Sequence, residues 1–239
     1  MRITSLAKRI AFVLCPLLLI GGQSVLAQNE SSLVVGARVG FASNHLAVSG
    51  QARTLPTISP VVGGFAQYQL SQWLSVSADL LYTQYGGNSV NPSWVYSSSS
   101  PLIVSGAVNH LTIKSHTLEV PIAAKLGLPG MNGAVRPFLA VGCAMAYNIQ
   151  TNAVIESYKI IGVTPMLNTY TDDVSSAFNQ FTAAFTPGAG IDFSAAGYAI
   201  SMEVYYRMGL INANKNHRSS TPDFTTNAFG FKVGIGLGL

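Results

Sequence analysis

The sequence predicts an all-β chain, an eight-stranded antiparallel up-and-down transmembrane β-barrel with both termini on the periplasmic side. Three observations carry that expectation. Beyond residue 27 the chain divides into eight amphipathic segments, joined alternately by long polar loops and tight turns, as outer loops and periplasmic turns alternate in a barrel. Charged residues within the segments fall on the face opposite the large apolar side chains, the reverse of a soluble barrel. No stretch after Ala27 is apolar over the ~20 residues that a spanning helix needs, and the longest, Phe138 to Tyr147, has about half that length. A membrane chain without such a helix must close its sheet on itself, because hydrocarbon offers no partner to an open row of backbone groups.

The first 27 residues follow another pattern. Arg2, Lys8 and Arg9 precede an apolar run from Ile10 to Ile20, and Val25-Leu26-Ala27 sets small residues where a signal peptidase reads them. The pattern predicts a cleaved signal peptide over 1–27 and a single barrel domain over 28–239, exported from the cytoplasm. Cys15 lies inside the apolar run, behind Phe12-Val13-Leu14, so a lipoprotein signal is excluded. Removal of the signal takes three of the thirteen basic residues and none of the nine acidic ones. The formal charge falls from +4 to +1, and no nucleic-acid partner is expected. Cys143 alone remains, which rules out an internal disulfide in the mature chain. With 49% apolar and only 9% charged residues, the hydrophobicity is spread in pieces that suit strands.

The segments follow in order. Leu33–Asn44 sets Val35, Ala37, Val39 and Phe41 against Gly36, Arg38 and Gly40, the period of two that a strand imposes. Ser59–Leu70 turns at Ser71-Gln72 into Trp73–Gly86, where Leu74, Val76, Ala78, Leu80 and Tyr82 oppose Ser75, Ser77, Asp79 and Leu81. A polar loop with Asn91-Pro92 and Ser97–Ser100 leads to Lys114–Leu128, with Leu118, Val120, Ile122, Ala124 and Leu126 opposite Glu119, Ala123, Lys125 and Gly127. The turn dipeptides Pro129-Gly130 and Asn132-Gly133 come next. Pro137–Gln150 alternates Leu139, Val141, Cys143, Met145 and Tyr147 with small residues, and Thr151–Ala177 reads as a long connecting segment. Phe178–Phe193 contains Pro187, which predicts a bulge or a lost ladder bond. After a turn at Ser194–Gly197, Tyr198–Ile211 alternates Met202, Val204 and Tyr206 with Glu203, Tyr205 and Arg207. The loop Asn212–Asp223 leads to the last segment, where Phe229, Phe231, Val233, Ile235, Leu237 and Leu239 oppose Gly230, Lys232, Gly234, Gly236 and Gly238.

The charged face collects Arg38, Asp79, Glu119, Lys125, Asp192, Glu203, Arg207 and Lys232, four acids and four bases. Charges out of water must be paired to be tolerated, and this set predicts a structural ion network across a narrow lumen, with the glycines making room for long side chains. Tyr68, Trp73, Phe193 and Tyr198 beside the short turns, and Tyr82, Tyr147 and Tyr206 towards the long loops, predict the two interfacial girdles.

Several pieces resemble the bacterial outer-membrane β-barrel domain family of PorT-like or porin-like small barrels: Val35-Gly36-Ala37-Arg38-Val39-Gly40, Gly63-Gly64-Phe65 through Leu80-Leu81-Tyr82, Leu118-Glu119-Val120-Pro121-Ile122 and the glycine-alternating last segment. The resemblance covers almost all of 28–239. It implies an integral barrel of the bacterial outer membrane, delivered by periplasmic chaperones and by an assembly machinery that reads the final strand. The chain ends on Leu239, where such barrels commonly finish on an aromatic.

Motifs of soluble chemistry are missing. Gly234-Ile235-Gly236-Leu237-Gly238 has the wrong spacing for a dinucleotide loop, and no phosphate loop, His-Glu-x-x-His or Gly-x-Ser-x-Gly occurs. No cofactor or metal is expected. Ser115, His116 and Glu119 are the candidates for a lipid-modifying triad, but adjacent strand residues face opposite ways. His45, His110 and His217 fall in predicted loops, and Cys143 falls on the lipid face as a small hydrophobe. The expected role is a non-enzymatic scaffold whose outer loops meet lipopolysaccharide, envelope proteins or an unidentified loop partner. A narrow porin-like channel, a secretion accessory protein and a lipid-modifying enzyme are the alternatives.

Overall fold

Period-two alternation with β-branched and aromatic residues on one face produces strands here, and hydrogen bonding closes them into a ring. The computed structural model describes residues 33–48, 54–88, 108–128, 135–161, 164–195, 197–213 and 224–239. The signal peptide expected over 1–27, the turns Pro129-Gly130 and Asn132-Gly133, the Asn91-Pro92 loop and His217 lie outside the described residues. Among the described residues nine strands follow in order: β1 (Leu33–Val48), β2 (Thr57–Gln69), β3 (Leu74–Gly87), β4 (Val108–Gly127), β5 (Val135–Ile161), β6 (Thr164–Asp173), β7 (Phe181–Ala195), β8 (Tyr198–Gly209) and β9 (Phe224–Gly238). All pairings among them are antiparallel, and β1 pairs with both β2 and β9. With β4 paired to β5 and β5 to β7, eight strands make the closed ring and β6 lies outside it.

The strand β6 corrects the reading of Thr151–Ala177 as a connecting segment. β5 is 27 residues long, well over twice the ~9–11 residues a spanning strand needs. Its first half pairs with β7, from Val135↔Phe193 to Tyr147↔Phe181, and its second half pairs with β6, from Asn152↔Asp173 to Ile161↔Thr164. β4 begins at Val108 rather than near Lys114 and runs beside this second half, pairing Val108 with Ser157. His45 and His110 therefore lie in β1 and β4, not in loops. Asp173 ends β6 by accepting from Ser175 Oγ and Ser175 N, and these bonds hold its carboxyl below the ordinary range.

Two prolines leave gaps in the ladders. The β7–β8 register passes from Phe185↔Met208 to Gly188↔Tyr205 across Pro187, and the β3–β4 register passes from Ala78↔Ile122 to Leu81↔Glu119 across Pro121. A proline has no N–H to give to a second neighbour, so each ladder skips it. The tight turn before β8 is set by Gly197, whose φ of +83° is cheap only for glycine.

Each face changes chemistry along the barrel axis. Outward on β4 stand Leu126, Ile122, Val120 and Leu118, then His116, Lys114 and Thr112; inward stand Lys125, Glu119, Thr117 and Ser115, then Ile113 and Leu111. β1 repeats the pattern, Val39 and Phe41 giving way outward to Ser43 and His45 while Asn44 gives way inward to Leu46. The exposed apolar belt is the lipid contact, and above it the barrel turns into the apolar-inside arrangement that water demands. Tyr68, Trp73 and Tyr198 are half-exposed at the lower rim of the belt, and Tyr82 and Tyr147 stand at the upper rim. An Ile122→Arg variant, inside the belt, is expected to cost about 2–4 kcal/mol of barrel stability. Thr171→Arg, exposed on β6 above it, is expected to stay within about 0.5 kcal/mol of the parent in the same urea titration.

Candidate functional site

The eight charged residues read from the sequence all point into the ring, and each meets an oppositely charged partner. Near the periplasmic turns Lys125 Nζ lies 3.2 Å from Asp192 Oδ1 and donates to Gln67 Oε1 at 2.8 Å and Ser201 Oγ at 3.2 Å. In the middle Asp79 Oδ2 receives Arg38 Nη1 at 2.5 Å and Lys232 Nζ at 3.1 Å, while Glu203 lies 3.6 Å from Arg38 and 3.2 Å from Lys232. Towards the outside Arg207 Nε donates to Glu119 Oε1 at 2.9 Å, and Tyr85 donates its hydroxyl proton to Glu119 Oε2. Arg207 Nη1 also reaches Thr226 O at 2.8 Å and Thr226 Oγ1 at 2.7 Å. Only Asp192 keeps appreciable contact with solvent; the other seven are buried.

The sequence reading missed the aromatic partners of these cations. Arg38 lies 4.4 Å over the Phe65 ring, Lys125 4.0 Å over Phe138, Arg207 4.2 Å over Tyr85 and Lys232 5.1 Å over Tyr205. A cation over a ring face is attracted by the ring quadrupole, more strongly where water is excluded. Parity was the available signal: Phe65 shares its face with Gly63 and Gln67, Phe138 with Ala140, and Tyr85 with Thr83. The glycines of β9 make room for this filling. A Cβ on Gly230 would fall 2.4 Å from Tyr205 Cζ, and one on Gly234 would fall 3.1 Å from both Arg38 Cγ and Phe65 Cε1.

Beside the outer charge group and above it, the interior carries two apolar clusters interspersed with buried Asn44, Thr83, Ser115, Thr117 and Thr151. Val61, Leu81, Tyr85, Ala42 and Ala228 form one cluster. Leu46, Leu111, Ile113, Ala153, Val174, Phe178, Ala213 and Phe224 form a second, with Phe178 stacked on Phe224 at 6.3 Å. The segment after β6, including the short 3-10 turn Ser175–Ala177, brings Val174 and Phe178 into this plug. Among the described residues, two interior cavities are about 10 and 20 Å³, space on the scale of single water molecules.

The candidate triad is not brought together. Ser115 points inward and shares a 2.7 Å hydrogen bond with Thr151, Glu119 is held by Arg207 and Tyr85, and His116 faces out with Nδ1 2.6 Å from the Tyr82 hydroxyl. Among the described residues no three His, Cys, Asp or Glu side chains gather to hold a metal. Cys143 is exposed within the lipid belt.

Residues 26–215 match the family model described as the outer membrane protein beta-barrel domain. Solved structures similar in fold include neisserial surface protein A, 14% identical with a TM-score of 0.44, aligned over 89% of this chain and 100% of that one. The outer membrane protein OprG from Pseudomonas aeruginosa is 15% identical with a TM-score of 0.42, over 87% of this chain and 96% of that one. Ail, the attachment invasion locus protein of Yersinia pestis, is 9% identical with a TM-score of 0.40, over 87% of this chain and 99% of that one. No curated relative matches the chain. With the model spanning well over half of the residues and the ring closed around paired charges inside a lipid-facing belt, the chain belongs to the outer-membrane β-barrel domain family and is an integral protein of the bacterial outer membrane.

Proposed function

We propose that the protein is a non-enzymatic scaffold whose closed barrel holds a raised sheet, β4–β5–β6, for contact with other components of the envelope or the outside. The observation that carries this reading is the length of β5 beyond the belt. From Asn148 to Ile161 it adds roughly 45 Å of strand, flanked by β4 and β6 and rooted on the apolar plug. A sheet with several strands and a buried base is stiffer than a loop, so it holds its tip at a defined height. The filled interior supports the same reading against a pore, because eight strands enclose a lumen that side chains can fill. Its proposed partners are the lipopolysaccharide around the outer half of the belt, the chaperones and assembly machinery that deliver it, and an envelope component at the raised sheet.

Two measurements test this. Planar-bilayer recordings of the purified barrel are expected to show no stable open conductance; steady steps would make it a channel. A photo-crosslinker at Thr171 in intact cells is expected to capture a discrete envelope component, with capture lost when residues 157–168 are replaced by a two-residue turn. Phospholipid hydrolysis by the pure protein that disappears in His116→Ala would replace the scaffold by the enzyme.

A further inference from the structure

β6 stands at the end of the hydrogen-bonded strand order, paired with β5 along one edge, and among the described residues no strand covers its other edge. Parity decides what that edge offers. Val174 N donates to Thr151 O at 2.9 Å, in the register that runs on through Ala153↔Asp172 and Ile155↔Tyr170. Even-numbered residues of β6 therefore turn their backbone groups to β5, while Thr169 and Thr171 turn theirs away. Both threonines are exposed. Pro165 falls on the same outward parity and has no N–H to give, so the open row of donors begins below it. Donors and acceptors at strand spacing along a free edge are a template for another extended backbone.

Position and charge narrow the occupant. β7 and then β6 occupy the same side of β5, and β8 is the next strand beyond β7, so a strand added to β6 would stand in the column above β8. Leu210 and Ile211, which follow β8 at the foot of that column, are 60% and 39% exposed. From Thr169 to Asp173 β6 carries two acids, Asp172 and Asp173, and no base. A second copy upright in the same membrane would lay its own β6 alongside in parallel, with each aspartate against its equal. Like charges directly opposite are destabilising, and parallel pairing is the weaker kind per residue. We propose that the free edge of β6 receives an extended segment of a different protein by antiparallel strand addition, with basic residues at the segment's N-terminal, membrane-facing end. The inference rests on the scaffold reading and gives the partner of the raised sheet a chemical form.

The test is amide exchange in the full barrel in nanodiscs, with the acetylated peptide amide Lys-Lys-Thr-Val-Thr-Val-Thr as the probe. Saturating peptide is expected to slow exchange at Thr169 and Thr171 by about tenfold, and to leave Tyr170 and Asp172, already bonded to β5, within about twofold. Thr169→Pro and Thr171→Pro are expected to abolish the effect, because each deletes an outward N–H and spares the bonds to β5; unchanged exchange at Ala153 and Ile155 reports that those bonds persist. Thr171→Ala, which keeps the N–H, is expected to bind as the wild type does. Should a proline variant lose β6 altogether, the peptide carries the test: N-methylation at alternate residues is expected to abolish binding in one phase and spare it in the other. A Glu-Glu peptide is expected to bind about fivefold more weakly than the Lys-Lys one. Protection of Thr169 and Thr171 in the barrel alone overturns the proposal, as do a peptide without effect, equal binding of both N-methylated peptides, and binding that survives the proline variants. Equal binding of the Glu-Glu peptide overturns the basic end. If strand addition fails while the crosslinker at Thr171 still captures a discrete component in cells, the scaffold reading stands without it; failure of both removes the partner.

Discussion

Arg207→Ala is expected to lower the unfolding free energy of the barrel by about 3–5 kcal/mol, read as a fall in the urea midpoint of the folded protein in lipid. Arg207 is 1% exposed, and its guanidinium is shared among Glu119, both oxygens of Thr226 and the Tyr85 ring. Truncation leaves the Glu119 carboxylate buried with only the Tyr85 hydroxyl to stabilise it. The desolvation of that carboxylate is then uncompensated, which is why breaking a buried pair costs far more than replacing both members would. Glu119→Gln in the same background is expected to recover part of the loss, because it removes the orphaned charge and keeps the shape. An unchanged midpoint in Arg207→Ala would mean that this side chain does not face the axis.

Which residues face that axis was legible from parity alone, because a strand alternates faces whatever it pairs with. All eight charges were named that way. Which acid meets which base was not legible, since Arg38 reaches Asp79 and Glu203 through the stagger of neighbouring strands, and no single segment encodes that stagger. Phe65, Phe138 and Tyr85 are luminal by the same parity, but that each covers a buried cation depends on the stagger as well, as it does for Tyr205 over Lys232. The expectation that apolar side chains face lipid hides the raised sheet. In β5 beyond Tyr147, Ala153 and Ile155 turn inward while Gln150, Asn152 and Glu156 turn outward. Read as a membrane strand, that stretch has its polar side facing lipid and so looks like loop. Read as a strand in water, it is ordinary. The first residues of β4 escaped for the same reason, with Leu111 and Ile113 buried inside.

The inversion makes the second large effect specific in place as well as in size. Phe224→Ala is expected to cost about 3–5 kcal/mol, the usual range for emptying a packed aromatic site. Phe224 is 2% exposed at the head of β9, stacked on Phe178 and packed with Leu46, Leu111 and Ile113. Its backbone is tied to the far side of the loop as well, its N–H donating to Asn212 Oδ1 at 2.9 Å and its carbonyl accepting from Ala213 N at 2.7 Å. The lost packing belongs to the plug that roots the raised sheet, so amide exchange is expected to accelerate at 152–156 of β5 and 169–173 of β6. Amides around the ion pairs at Asp79 and Glu203 are expected to keep the wild-type rate, because they lie below the plug and within the belt. Acceleration spread evenly over the barrel would mean that plug and charge network unfold as one unit. An unchanged rate at 152–156 would mean that pairing with β4 and β6 alone braces the extension, and the apolar plug would then lose its part in holding the sheet above the membrane.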